Sequence, residues 1–377
     1  MYFVILFIQN LCFMESRMTY STSKTSTSKK YILFFDINGT ILLGDSSAGK
    51  SIKDDIIITL CHNIIGKVTN DDWKFDEIAT CNFIQHDKLA LSHLSYYEYI
   101  RRKYPLIQNF NLSIEENKKR NEGIKEVRRN FYRAMEHNQM VPDFNINIAR
   151  IQERINQEPF LLGSFNEVVT RMQKNISICF RTFGGDMDIV QKYFNDLCDG
   201  KHPLYSYFRN EKLKLIGENI GRFYRYGDTS NDTYLAMGIS SELGNKTLDQ
   251  LLNYCFEHPD VKLFHGFKNI NNYIEECHHN NITLGLRDYY PYWMTNREHY
   301  RTGKVMILNP HSSIERMFFD DNLSINEYFQ EKKSIVDLRN ADGSDVQNIL
   351  EYYDKNLIAV NTMKAICEKN YFLKYLK

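Results

Sequence analysis

Three positions in this chain place a carboxylate or a hydroxyl at the end of an apolar run. The first is Asp36, in Tyr31-Ile-Leu-Phe-Phe-Asp36-Ile-Asn38-Gly39-Thr40-Ile41. The second is Thr182, which closes Ile176-Ser-Ile-Cys-Phe-Arg-Thr182. The third is the pair Asp320-Asp321, which follows Arg316-Met-Phe-Phe319. Runs this apolar read as strands buried on both faces. Their carboxyl ends are where open parallel sheets bind ligands. A carboxylate there is suited to nucleophilic or acid–base work. The signal is strongest at Asp36, because a Gly-Thr turn follows the carboxylate at once.

The elements that would position these residues alternate between strand and helix. After the first strand and its turn, residues 52–65 have helical spacing. From about 71 to 170 the pattern is mostly helical, without a strong strand signal, and is punctuated by Pro142 and Pro159. A strand over 176–182 ends in Phe183-Gly184-Gly185, and a helix follows over 186–198. Residues 200–265 read as a mixed insertion. A helix over 268–279, a strand over 282–287 and an aromatic loop, Asp288-Tyr-Tyr-Pro-Tyr-Trp293, come next. Short strands at 316–319, 334–338 and 357–360 precede a closing helix. Such alternation implies a parallel sheet covered on both faces.

At 377 residues the chain can bury a sizeable core, as one large domain with insertions or as two domains. Its 47 basic and 47 acidic residues cancel, so no global basic field calls for nucleic acid or an anionic membrane. The eight cysteines are scattered without a Cys-x-x-Cys pair, which supports neither a zinc site nor a disulfide scaffold. Reduced thiols in a cytoplasmic setting are expected. Residues 1–14 are strongly apolar but too short for a comfortable membrane span. They lack a clear basic region and cleavage site. They are expected to form a loose tail or to precede a start at Met18, with a secretory or anchoring signal as the alternative. The Ser/Thr/Lys tract from Thr19 to Lys30 is expected to be disordered.

Taken in order, the chemical stretches resemble the motifs of the haloacid dehalogenase (HAD) superfamily. Asp36-x-Asn38-Gly39-Thr40 is similar to its first motif, Asp-x-Asp-Gly-Thr. Thr182 matches the second motif, Lys304 in Thr302-Gly303-Lys304 the third, and Asp320-Asp321 the fourth. The stretch from about Ile282 to Phe372 is also similar to uncharacterised eukaryotic HAD-like proteins. The resemblance implies an α/β fold, a Rossmann-like core with a parallel sheet and a large helical cap inserted after the first strand. The core would comprise 31–50 and 175–377, the cap 51–174, and a tail 1–30. The resemblance further implies that Asp36 is a nucleophile that forms an aspartyl-phosphate. The Thr182 hydroxyl would hold a phosphoryl oxygen, and Lys304 would neutralise nucleophile and phosphate. Asp36, Asp320, Asp321 and the backbone carbonyl of Asn38 would hold Mg2+, a hard cation that takes oxygen ligands. Cation and lysine together offset the charge that phosphoryl transfer concentrates. A small phosphorylated substrate follows from this, but no residue of the cap specifies which one.

Position 38 departs from the pattern. The second aspartate of the motif is the general acid/base, and Asn38 cannot ionise. General acid–base help is worth ~10²–10⁴-fold in rate. The expectation is therefore a slow phosphatase, a phosphoric monoester hydrolase best with good leaving groups. A HAD activity that uses a different acid and a weak or inactive binding protein that keeps the metal site are the alternatives.

Three further stretches compete for attention. Gly44-Asp-Ser-Ser-Ala-Gly49-Lys50-Ser51 satisfies the Gly-x4-Gly-Lys-Ser pattern of a phosphate-binding loop, which would make the chain a nucleotide-binding protein. However, the strand that should feed such a loop already ends at Asp36. Gly227-Asp228-Thr-Ser-Asn231-Asp232 resembles another form of the fourth motif. The two arginines of the preceding Gly221-Arg-Phe-Tyr-Arg-Tyr226 are poor material for a buried central strand, which argues against it. His278-His279 are expected to be solvated rather than to pair on a metal.

Overall fold

The computed structural model describes residues 29–44, 49–78, 93–106, 112–138, 141, 143–157, 161–172, 175–238, 244–326, 331–333 and 335–376. The readings of the tail before Lys29, of Pro142 and Pro159 and of Asp45–Ala48 lie outside these residues. The strands are β1 (Lys30–Asp36), β2 (Ile64–Thr69), β3 (Asp72–Ile78), β4 (His93–Ser95), β5 (Ile176–Thr182), β6 (Ile220–Arg225), β7 (Thr233–Met237) and β8 (Lys262–His265), then β9 (Leu284–Arg287), β10 (Lys304–Leu308), β11 (Ile314–Asp320), β12 (Ser324–Asn326), β13 (Glu331–Lys333), β14 (Val336–Asn340) and β15 (Leu357–Ala359). The helices are α1 (Ile52–Asn63), α2 (Tyr96–Lys103), α3 (Ile114–Ala134), α4 (Phe144–Gln157), α5 (Gly163–Thr170), α6 (Met187–Cys198), α7 (Leu248–Glu257), α8 (Gly266–His279), α9 (Tyr290–Thr295) and α10 (Thr362–Cys367).

One large sheet runs in the order β15-β11-β1-β5-β9-β6-β7-β8. From β15 to β6 each neighbour is parallel, and β7 and β8 continue antiparallel. The apolar first run explains why β1 lies inside. Tyr31, Leu33 and Phe35 join the core on one face, and Ile32 and Phe34 join the core on the other. The first face carries Phe165 and Val168 of α5, Met187, Val190 and Phe194 of α6, and Ala365 and Ile366 of α10. The second carries Phe267, Ile270 and Ile274 of α8 and the small parallel pair β10–β14. This is an α/β architecture with a mostly parallel sheet, as its alternating pattern implies.

The segment 51–174 is not wholly helical. Strands β3-β2-β4 form an antiparallel sheet within it. The β2–β3 turn is Asn70-Asp71, with φ of 52° and 60°. These are residue types that tolerate the left-handed region, and two such residues suit a tight hairpin. Helix α5, at the end of the segment, belongs to the core rather than to a cap. Phe165 packs edge-on against Phe35 at 5.0 Å, and the Leu162 N–H donates to the Ile41 carbonyl at 2.8 Å.

Residues 200–265 are likewise not a separate insertion, because β6, β7 and β8 extend the main sheet. The arginines of β6 do not keep it out. Arg225 is buried, and its guanidinium meets Asp337 at 3.0 Å and the carbonyls of Gly303 and Arg301. A buried charge is tolerated when it is paired and hydrogen-bonded. Among the described residues no helix is long and apolar enough to cross a membrane. None of the six cysteines described is in a disulfide.

Candidate metal and phosphoryl centre

Asp36 is the last residue of β1, between β11 and β5. Asp320 is the last residue of β11, and Thr182 is the last of β5. Parallel register with Phe35↔Phe319 and Asp36↔Arg181 brings these ends to one level. Oxygens of Asp36, Asp320 and Asp321 all lie within 4.8 Å of one another.

Lys304 joins them from a different place than a strand's carboxyl end. It is the first residue of β10, in the small parallel pair beside the main sheet. Its backbone N–H is fixed on the Ile335 carbonyl at 2.7 Å. The buried ammonium donates to Asp36 Oδ1 and, at 2.8 Å, to Asp320 Oδ2.

The turn after β1 is built around Asp321. Gly39 has φ of +78°, and a Cβ there would stand 2.5 Å from Asp321 Oδ2. Glycine is therefore required both for conformation and for room. The Thr40 hydroxyl accepts the Asp321 N–H at 3.1 Å and donates to Asp321 Oδ1 at 3.4 Å. The Asn322 N–H donates to Asp320 Oδ1 at 2.8 Å. Thr182 is buried one strand away, and its hydroxyl accepts the Gly184 N–H at 2.8 Å.

Three carboxylates share this centre with one buried ammonium. Burial raises the Asp36 pKa to about 7, against the opposing pull of Lys304 and with a further push from Asp320. Burial also pushes Asp321 well above the carboxylate range, and Asp320 and Asp36 add to it. Lys304 is raised despite burial, because Asp320 and Asp36 outweigh its desolvation. The donor set is all oxygen, and one lysine leaves negative charge over. That combination fits a hard divalent cation.

Asn38 points elsewhere. Its Nδ2 donates to Asp186 Oδ2 at 2.8 Å, and its Oδ1 is buried without a hydrogen-bond partner. Asp186 is itself buried, on the loop before α6. Sequence reasoning missed it, although its place just after Phe183-Gly184-Gly185 was a usable signal. It missed a second buried pair as well. Arg181 donates to both carboxylate oxygens of Asp288, and to the Val305 carbonyl at 2.8 Å. The Asp288 N–H donates to the Thr182 carbonyl at 2.7 Å, which ties the loop after β9 to the end of β5. An arginine inside an apolar strand, with an aspartate just after another, was the clue.

The aromatic loop closes the side of the site. Phe183 stacks on Trp293 at 4.9 Å, and the Lys304 ammonium lies 5.6 Å from the Phe183 ring centre. Burial raises the Tyr290 pKa, and Glu298 and then Glu122 add to it. Glu122 lies on α3, so a charge from the segment inserted after β1 acts on this loop.

The competing stretches are engaged by other residues of the chain, although the charge of Lys50 acts on Asp321 and opposes the rise in its pKa. Asp228 is engaged with Arg339 at 2.6 Å and Arg225 at 3.6 Å, and is not part of the carboxylate cluster. At Gly44 and Ser51 the acceptors are already supplied by the chain. Asp55 takes the Gly44 N–H at 2.7 Å, and Asp54 takes the Ser51 N–H and hydroxyl at 2.9 Å each. His278 is not solvated. It is buried, with Nδ1 2.6 Å from Ser177 Oγ, while His279 is exposed. His278 follows the apolar stripe of α8 through Ile274, which is why it faces inward.

No known protein family, curated protein or solved structure matches the chain.

Proposed function

We propose that the chain is a HAD-like phosphoryl-transfer enzyme, a slow Mg2+-dependent phosphatase that acts on a small phosphorylated substrate through Asp36. The observation that carries this reading is the meeting of Asp36, Asp320, Asp321 and Lys304 at the carboxyl ends of β1 and β11, with Thr182 beside them. Asp36, Asp320, Asp321 and the Asn38 carbonyl would hold the cation. When bound, Mg2+ offsets the charge of the phosphoryl oxygens and keeps the carboxylates ionised.

The chain's own residues account for the rest. A carboxylate oxygen of Asp36 bonds to phosphorus as the bond from phosphorus to the leaving oxygen breaks. Lys304 holds Asp36 in place and adds positive charge where negative charge gathers. The Thr182 hydroxyl would hold a phosphoryl oxygen. The leaving oxygen then needs a proton, and water needs to lose one to release phosphate from Asp36. Asn38 can do neither. It hydrogen-bonds Asp186, the carboxylate nearest to that role. Loss of a direct acid at position 38 makes the enzyme slow, by up to the ~10²–10⁴-fold that such groups supply.

A nucleotide-binding loop at Gly44–Ser51 is the weaker reading, because carboxylates of this chain already occupy the N–H groups of Gly44 and Ser51. The deciding experiment is release of phosphate from an activated aryl phosphate, with magnesium and with chelator. Turnover that needs magnesium and vanishes in Asp36→Asn supports the enzyme. Absence of any Asp36-dependent turnover leaves a metal-binding protein of the same fold.

A further inference from the structure

Beyond Thr182 the row continues with Arg287, at the end of β9, and its register partner Arg222 within β6, two arginines that the reaction does not use. We infer that Arg287 and Arg222 form an anion subsite for a second oxyanion group of the substrate. The inference rests on the phosphoryl-transfer reading and names the class of molecule transferred from: one with two anionic ends.

Register places the two side chains together. Arg287 closes β9 and is the parallel partner of Arg222 on β6. Opposed residues of neighbouring strands project to the same face. Arg287 is buried, with Nη2 donating to Asp188 Oδ1 at 3.0 Å and Nε lacking any acceptor. Asp188 lies on the first turn of α6 with a largely exposed side chain. Arg222 is half-buried, and its guanidinium has no hydrogen bond or ion pair among the described residues. Burial lowers its pKa, and the like charge of Arg287 adds to this against the opposing effect of Tyr224.

Of the two guanidinium groups, one meets a single exposed carboxylate and the other meets none. Like charges opposed across strands are destabilising, and a buried donor without an acceptor costs more. A phosphate or carboxylate would resolve both deficits, since guanidinium forks match these oxyanions two bonds at a time. The place is also right for one substrate to reach both sites. Thr182 is the register partner of Arg287 and shares its sheet face, so the subsite adjoins the Thr182 hydroxyl, while Asp36, aligned with Arg181, ends the next strand over. At about 4.8 Å per strand, the end of β9 stands roughly 10 Å from that of β1. A chain of a few carbons between two anionic groups covers that distance.

The test is titration calorimetry of the full chain with magnesium, using three probes: pentylphosphonate, pentane-1,5-diyl bisphosphonate and 6-phosphonohexanoate. One or both doubly anionic probes should bind about 10-fold or more tightly than pentylphosphonate, the range expected of charged hydrogen bonds. The better of the two identifies the second group as phosphate-like or carboxylate. Arg222→Gln and Arg287→Gln should each remove that gain while leaving pentylphosphonate within twofold of wild type, and Arg222→Lys should keep part of it. The half-exposed Arg222 serves as the variant if Arg287→Gln does not fold. Equal affinity for all three probes, or a gain that survives Arg222→Gln, overturns the inference. Its failure is separable from that of the phosphoryl reading. If pentylphosphonate does not bind, or binds regardless of Asp320→Asn, both fall. If it binds in an Asp320-dependent way and the second anion adds nothing, only the subsite falls.

Discussion

At the scale of single residues the unusual feature is an amide where acid–base chemistry is wanted. Asn38 gives its one engaged hydrogen bond to Asp186. Asn38→Asp would set two carboxylates in contact at a 2.8 Å separation. Like charges this close raise the pKa of one member, which is what a general acid at neutral pH requires. Asn38→Asp is therefore expected to raise turnover of an aryl phosphate by about 10-fold or more, part of the range such groups supply. Asp36→Asn should abolish turnover. Steady-state rates at saturating magnesium, with folding checked by circular dichroism, decide this. If Asn38→Asp stays as inactive as Asp36→Asn, the chain is a binding protein with an enzyme's framework. Lys304 gives a second expectation, on stability. Lys304→Met leaves Asp36 and Asp320 buried without their cation. Removing one partner of a buried ion pair costs about 3–5 kcal/mol. Urea unfolding in the presence of chelator should report a loss of that order, and a loss below about 1 kcal/mol would mean that the carboxylates simply take up protons.

Elements show their own economy of contacts. Helix α8 is pinned to β5 by His278 on Ser177. Burial, with His279 and other cations adding to it, lowers the His278 pKa to about 4. The unfolded chain thus binds more protons than the folded one between about pH 6.5 and 4. Stability from this group is full above pH 6.5 and is lost as pH falls toward 4, by about 3 kcal/mol at most. His278→Gln should flatten that part of the acid limb in unfolding midpoints measured from pH 7 to 4. An unchanged limb would remove His278 from the account. The hairpin β2–β3 offers a different test. A Cβ on Gly66 would stand 2.2 Å from the Trp73 ring and 2.5 Å from the Lys74 carbonyl. Gly66→Ala should destabilise the chain by about 1–3 kcal/mol through overpacking, read from chemical denaturation. These elements also show what was legible beforehand. Doubly buried strands announce themselves by unbroken apolar runs, so β1, β5, β9 and β11 were readable and carried Asp36, Thr182 and Asp320 with them. The β2–β3 hairpin was not, because its signal is the two left-handed residues Asn70 and Asp71 rather than a run. Strand β6 was hidden by Arg225, whose partner Asp337 lies more than a hundred residues away. Such long-range pairing leaves no local trace.

On the scale of the whole molecule, the sheet gathers negative charge that folding alone does not balance. The strands that bring Asp36 and Asp320 to one level are held by large apolar cores on both faces, so the carboxylates cannot move apart. Bringing them together opposes folding, and Lys304 offsets only part of it. A divalent cation that binds the assembled centre, and not the unfolded chain, must then stabilise the fold. The linkage is RT ln(1 + [L]/Kd), about 2.7 kcal/mol when the cation stands at 100 times its dissociation constant. For a chain of 377 residues the resulting rise in unfolding temperature is on the order of 1–4 °C. The rise should grow with the logarithm of magnesium concentration, and it should be absent for sodium at matched ionic strength. Asp320→Asn should abolish it, whereas Asp228→Asn, in the separate arginine cluster, should leave it intact. This arrangement of variants tests the site without requiring turnover, so it holds for a slow enzyme and for an inactive one alike. A magnesium-dependent rise that persists in Asp320→Asn and disappears in Asp228→Asn would place the cation beyond the carboxyl end of β6. In that case the carboxylates at the ends of β1 and β11 would have no claim to be the metal centre.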